Sequence, residues 1–233
     1  MKLILVATLA YCALFSASLS AQGRTVVVEL FTSQGCSSCP PADAILHKLA
    51  ERKGVIALAL HVDYWDYIGW KDEYALSSHT KRQRGYARVA GREVVYTPQM
   101  IINGVDDVVG AHPMEVAEII DREKSSTAVV ALSAERNGSR LTIRAAPVSR
   151  PLDGPVTVQL VRYTPLKTAN ITRGENAGHR LDYANVVEDW TSLGEWDGAE
   201  PYEVHTNLEG NLPVVVLLQN SGPGEIVAAA LAK

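Results

Sequence analysis

The sequence predicts an α/β half followed by an all-β half. Three observations carry that reading. The apolar run Val26–Phe31 leads into a helical pattern and then into a second apolar run, Val55–Val62, which is the make-up of a parallel, right-handed βαβ unit. A hairpin and a further helix follow, so residues 24–125 read in the order β-α-β-α-β-β-α. After Thr127 the helical period disappears and short alternating runs replace it, which predicts a β-sandwich-like domain of about seven strands over residues 127–233.

The chain has 233 residues, 47% of them apolar and 21% charged, an ordinary globular balance that fits one or two domains. A net charge of −4 and a pI near 5.9 give no electrostatic reason to expect nucleic acid. Lys2, the apolar stretch Leu3–Phe15 and the small residues Ser16–Ala21 have the form of a signal peptide over residues 1–21. The apolar stretch is too short to span a bilayer comfortably, and after cleavage no membrane segment is expected. Cys12 follows the bulky Tyr11, which does not suit a lipoprotein signal. Cleavage removes Cys12 and leaves Cys36 and Cys39 alone in the mature chain. An even pair suits an oxidising compartment, so a periplasmic or secreted location is expected.

The elements follow in order. Thr25–Phe31 is short, Val-rich and bounded by Gly23 and by Ser33-Gln34-Gly35, as a buried strand should be. Ala42, Ile45, Leu46 and Leu49 lie on one helical face, Pro40 and Pro41 fit the first turn, and Gly54 ends the helix. Val55–Val62 is the second strand, and an aromatic loop, Asp63–Trp70, leaves it. Asp72–Ala90 reads as a polar helix. Its basic run, Lys81, Arg82, Arg84 and Arg88 with Arg92 beyond, reads as a solvated face. Thr97-Pro98 precedes the strand Gln99–Ile102, Asn103-Gly104 is a type I′ hairpin signal, and Pro113 opens a helix with Val116, Ile119 and Ile120 on its apolar face. In the second half, Ala128–Ala134, Leu141–Ala145, Val156–Tyr163, Leu212–Gln219 and Ile226–Leu231 read as strands.

Cys36-Ser37-Ser38-Cys39-Pro40 stands at the first strand-to-helix junction. There the free N–H groups and the helix dipole favour a thiolate at the first cysteine. The motif alone leaves three readings open: a redox-active dithiol, a permanent structural disulfide, or half of a metal site. A ring this small constrains the unfolded chain little, so stability is a poor reason for it.

The element order, the dithiol at the first junction and Thr97-Pro98 before the third strand together resemble the thioredoxin-like fold. The stretch Val-Glu-Leu-Phe-Thr-Ser-Gln-Gly-Cys-Ser-Ser-Cys-Pro-Pro-Ala-Asp over 28–43, with 61–70 and 96–100, is similar to a family of secreted bacterial proteins. That family is classed as a domain of unknown function within the thioredoxin-like superfamily. The resemblance implies thiol–disulfide exchange by Cys36 and Cys39, with Cys36 the attacking and more exposed thiol and Cys39 the resolving one. It implies a cis peptide bond at Thr97–Pro98 facing the dithiol. It also implies a proton-handling role for Glu29, although Glu29 lies seven residues before Cys36, where thioredoxins have six. Protein thiols or disulfides and a redox partner are the expected partners, and no cofactor is implied.

Trp65, Asp66 and Trp70 leave the carboxyl end of the second strand, the edge where sites assemble in parallel sheets, and are candidate substrate-binding residues. A copper- or zinc-binding module using Cys36, Cys39 and His61 is the rival reading, and a redox-silent binding scaffold is a third. The polar loop Arg173–Gly178 is a candidate to approach the dithiol from the second half.

Overall fold

Every residue of β1 (Val26–Thr32) is buried, because the strand lies inside a sheet covered on both faces. In a computed structural model, which describes residues 24–148 and 152–233, β1 is followed by α1 (Pro40–Ala50), β2 (Val55–His61), α2 (Ser77–Val89), β3 (Gln99–Ile102), β4 (Asp106–Val109) and α3 (Pro113–Lys124). The expected signal segment and Cys12 lie outside the described residues. β1 pairs with β2 in parallel and with β3 antiparallel. The Asn103-Gly104 turn joins β3 to β4 with positive φ at both residues, 47° and 75°, the type I′ geometry that matches strand twist.

Side chains alternate across β1, and this divides the core. Val26, Val28 and Leu30 face α1 and α3 with Ala42, Leu46, Val116 and Ile120. Val27 and Phe31 face the other way, with Tyr86 of α2 and with Leu58 and Leu60. The helix expected from Asp72 begins at Ser77 instead. Asp72 is held in the loop because its carboxylate accepts from the backbone N–H groups of Gln34 and Tyr74.

Among the described residues, all regular structure after α3 is β: β5 (Val130–Asn137), β6 (Arg140–Pro147), β7 (Val156–Asn170), β8 (Arg180–Trp196), β9 (Tyr202–Asn207), β10 (Val214–Asn220) and β11 (Ile226–Leu231). These strands serve two purposes. β7, β8, β10 and β11 extend the first sheet, giving eight strands in the order β11-β10-β7-β8-β2-β1-β3-β4, and β5-β6-β9 form a second sheet. The join is β2 to β8, parallel at Ala59 and Val186, reinforced by Asn185 Nδ2 donating to the Ala57 carbonyl at 2.8 Å. Leu141 and Ile143 of the second sheet close a separate core with Val158, Val216 and Leu218 of the large one. The protein is thus a mixed α/β molecule with one large sheet and one small one.

Candidate functional site

β1 stops at Thr32, and the chain turns through Ser33-Gln34-Gly35 before α1. Gly35 N–H donates to Ser33 Oγ at 3.1 Å and Cys36 N–H to the Ser33 carbonyl at 3.1 Å, so the turn is closed locally. Gly35 permits a close approach: a Cβ there would stand 3.1 Å from Trp65 Cβ and 3.3 Å from Ile68 Cδ1. Cys39 is the N-cap of α1, its carbonyl accepting from the N–H groups of Ala42 and Asp43, with Pro40 and Pro41 in the first turn.

Cys36 and Cys39 are joined in a disulfide with Cα atoms 5.4 Å apart. Both are completely buried, at 0% exposure. This corrects the expectation that Cys36 is the more exposed, because the dithiol turn is packed inside the fold and not at its surface. An asymmetry remains in what lies beside them: Cys36 Sγ is 3.4 Å from the hydroxyl of the exposed Ser38, and Cys39 is built into the helix start.

Three sets of contacts surround the dithiol turn. The Thr97–Pro98 bond is cis, and Thr97 Oγ1 accepts from Trp65 Nε1 at 2.8 Å. Trp70 Nε1 donates to Gln34 Oε1 at 2.7 Å, beside the turn that carries Cys36. From the tip of the β7–β8 hairpin, Asn176 Nδ2 donates to the carbonyls of Gln34 at 2.9 Å and Cys36 at 3.0 Å. The loop Arg173–Gly178 thus reaches the dithiol turn. Asp66 is part of this arrangement through its carboxylate, which accepts from Asp72 N–H at 3.1 Å.

Beneath the dithiol turn lies a cluster that the sequence did not announce. Thr32 and His61 are register partners at the carboxyl ends of β1 and β2, on the α1 face. His61 Nδ1 is 2.7 Å from Asp72 Oδ2, and its ring is packed edge-on by Tyr183, 4.6 Å between centroids, and Tyr74, 5.4 Å. Burial opposes ionisation of Asp72, but His61 and the N–H groups of Gln34 and Tyr74 outweigh it and hold the carboxyl below its ordinary range.

Asp43 faces the same cluster from one turn into α1. It is buried, and neither of its carboxylate oxygens has a hydrogen-bond partner. Burial pushes its pKa up to about 7, with only partial relief from His61 and the Thr32 hydroxyl. Thr32 Oγ1, His61 Nε2 and Tyr183 OH are likewise buried without partners. A buried carboxyl that exchanges its proton near neutrality, within one helical turn of a disulfide, has the properties of a proton donor and acceptor. One signal pointed to it: Asp43 precedes Leu46 by three positions, so the apolar face of α1 carries an acid.

Glu29 is placed elsewhere. The alternation of β1 puts it with Val27 and Phe31 on the α2 face, away from α1 and Cys39. Its carboxylate accepts from Arg82 Nε at 2.6 Å and Nη2 at 3.1 Å, and from Tyr86 OH. Arg82 also donates to Gln219 and lies 3.8 Å from the Trp190 ring. Arg82, its side chain 12% exposed, is therefore a largely buried counter-ion and not part of the expected solvated basic face, which Lys81, Arg84 and Arg88 do form. For the metal reading, the sulfurs are bonded to each other and His61 is bonded to Asp72. Among the described residues, no three His, Cys, Asp or Glu side chains are grouped to hold a metal ion.

No curated protein matches this chain. A protein of Agrobacterium tumefaciens, solved by X-ray crystallography, is similar over 90% of this chain and 94% of its own, with 35% identity and a TM-score of 0.77. A thioredoxin of Malassezia sympodialis aligns with 45% of this chain and 80% of its own at 20% identity, and its TM-score of 0.30 is too low to bear on function. Residues 27–219 match the model of a family described as proteins of unknown function, DUF1223, and with that span of the sequence matched the chain belongs to this family.

Proposed function

We propose that this protein is a thiol–disulfide oxidoreductase built on a thioredoxin-like first half and working in an oxidising compartment, periplasmic or secreted. The observation that carries the reading is the Cys36–Cys39 disulfide at the start of α1, one helical turn from an unpartnered, buried Asp43. An incoming protein thiolate bonds to Cys36 Sγ. The Cys36–Cys39 bond breaks, its electron pair leaves on Cys39 Sγ, and the Asp43 carboxylic acid delivers the proton. In the reverse step Asp43 takes that proton back, the Cys39 thiolate displaces the substrate sulfur from Cys36, and the disulfide reforms. Attack at Cys36 is supported by its neighbour, the exposed Ser38, and by the helix N-terminus, which favours an anion there. Trp65, Asp66 and Trp70 are the residues we assign to the substrate-facing wall.

The test is trapping combined with the redox equilibrium. Cys39→Ser should accumulate a mixed disulfide through Cys36 with reduced or scrambled protein substrates, and Cys36→Ser should trap little. Equilibration with glutathione gives the potential: about −120 mV would mark an oxidase and about −270 mV a reductase. A second reading, a redox-silent scaffold, draws on the complete burial of both sulfurs. No mixed disulfide, together with a potential far below the glutathione range, would establish that reading instead.

A further inference from the structure

Between Thr172 and Arg180 every residue at the tip of the β7–β8 hairpin is exposed except Asn176, which is 6% exposed. The tip is a self-contained turn. Ala177 N–H donates to the Gly174 carbonyl at 3.2 Å and Gly178 N–H to the Ile171 carbonyl at 2.7 Å, with positive φ at both glycines. It therefore does not need Asn176 for its own shape. The side chain is spent on the other half of the molecule, where both hydrogens of one amide group satisfy the carbonyls of Gln34 and Cys36. Gly174 sits against Trp70, where an added Cβ would lie 3.2 Å from Trp70 Cβ, and Trp70 itself is bonded to Gln34. These contacts lie directly on the turn that presents the sulfurs, and the sulfurs are at 0% exposure.

We propose that Asn176 is a latch: the β7–β8 tip holds the Cys36–Cys39 disulfide closed, and thiol exchange requires the tip to lift. The inference rests on the redox reading above and adds the control of access to it. A thiolate must approach Cys36 Sγ in line with the S–S bond before the electron pair can leave on Cys39. No such approach exists while the sulfurs are covered, so the observed rate is the intrinsic exchange rate multiplied by the fraction of open tips. The two hydrogen bonds set that fraction. Removing them should raise it by about tenfold or more, as two ordinary buried hydrogen bonds imply. Asn176 touches neither sulfur in these contacts, so the intrinsic chemistry is unchanged.

The experiment is reduction of the full-length oxidised protein by dithiothreitol, which is itself oxidised to its cyclic disulfide as Cys36 and Cys39 each gain a proton and an electron. Asn176→Ala deletes the latch, and Asn176→Asp keeps its size but cannot donate. Ile143→Val, in the core of the small sheet, is a control for mild destabilisation far from the site. Both latch variants should be reduced at least about tenfold faster than wild type under native conditions, and all four proteins at one common rate in denaturant. Native rates within about twofold of wild type in both latch variants would overturn the proposal, as would equal acceleration by Ile143→Val. Failure of the redox function reads differently: fast reduction of Asn176→Ala by dithiothreitol with no exchange with glutathione or protein thiols keeps the latch and removes the oxidoreductase.

Discussion

Glu29 and Asp43 are buried carboxyl groups on opposite faces of the same sheet, and the protein treats them in opposite ways. Glu29, on the α2 face, has Arg82 in a bidentate pair, the Tyr86 hydroxyl beside it, and Gln219 completing the network through Arg82 and Tyr86. Asp43, on the α1 face, has no hydrogen-bond partner for either oxygen, and its polar neighbours are also incompletely satisfied. Buried polar groups in folded proteins are normally paired, so an unpaired cluster calls for an explanation in function. The first network is fully paired and the second is not, and the disulfide lies on the side of the second.

The comparison breaks most visibly at Glu29. Glu29→Ala leaves Arg82 as a buried charge without its partner, which should cost about 3–5 kcal/mol of stability in denaturant unfolding. The same substitution should leave the reduction potential of the disulfide unchanged, because Glu29 faces away from α1. A potential that moves with Glu29→Ala while the fold stays intact would restore Glu29 to the site.

Asp43 should behave in the reverse manner. Its pKa is raised from 3.8 to about 7 in the folded chain, so between those values the native state holds a proton that the unfolded state has released. Stability therefore falls as pH rises from about 4 to about 7, and above that window the penalty is complete, on the order of 4 kcal/mol. Asp43→Asn removes the penalty. Thermal melts of variant and wild type should coincide near pH 4, and the variant should melt higher at pH 8. Its rate of disulfide exchange should lose the pH dependence centred near 7. The groups that face Asp43 are His61 on β2, Asp72 in the loop, and Tyr183 on β8.

Legibility in the sequence follows the same division. β1, α1, β2 and the β3–β4 hairpin were readable because each has a strong local period or a decisive turn pair such as Asn103-Gly104. Thr97-Pro98 was readable as a cis bond only through resemblance. The sequence does not mark β8 as a strand, because its buried positions, among them Tyr183, Ala184, Val186 and Val187, are interspersed with polar residues and break the alternation at Asn185. Its parallel pairing with β2 is a contact between residues more than a hundred positions apart, which local pattern does not encode. Cys36 and Cys39 are legible as a pair, but their burial is not, since the turn that carries them packs with distant chain such as Trp70 and Asn176. Glu29 drew attention as a charge in an apolar strand. Its face was set by strand parity, and its counter-ion, Arg82, looked like one of several surface cations.

The smallest expected effects sharpen the contrast. Gln219 and Thr32 are both fully buried polar residues, one on each side of the comparison. Gln219 Oε1 accepts from Arg82 at 3.0 Å, and its Nε2 donates to Tyr86 OH and the Gly224 carbonyl, each at 2.8 Å. Gln219→Leu removes all three bonds, though Arg82 and Tyr86 keep Glu29, and should cost about 1–3 kcal/mol. Thr32 Oγ1 has no hydrogen-bond partner, so the near-isosteric Thr32→Val removes a buried hydroxyl without breaking a hydrogen bond. Its stability in urea should stay within about 0.5 kcal/mol of wild type at pH 4, where Asp43 is largely protonated. At pH 8 the valine variant should lose slightly more, because the Thr32 hydroxyl eases ionisation of Asp43. Equal losses for the two variants at pH 4 would mean that Thr32 is satisfied after all, and the distinction between a paired face and an unpaired one would fail at its most sensitive point.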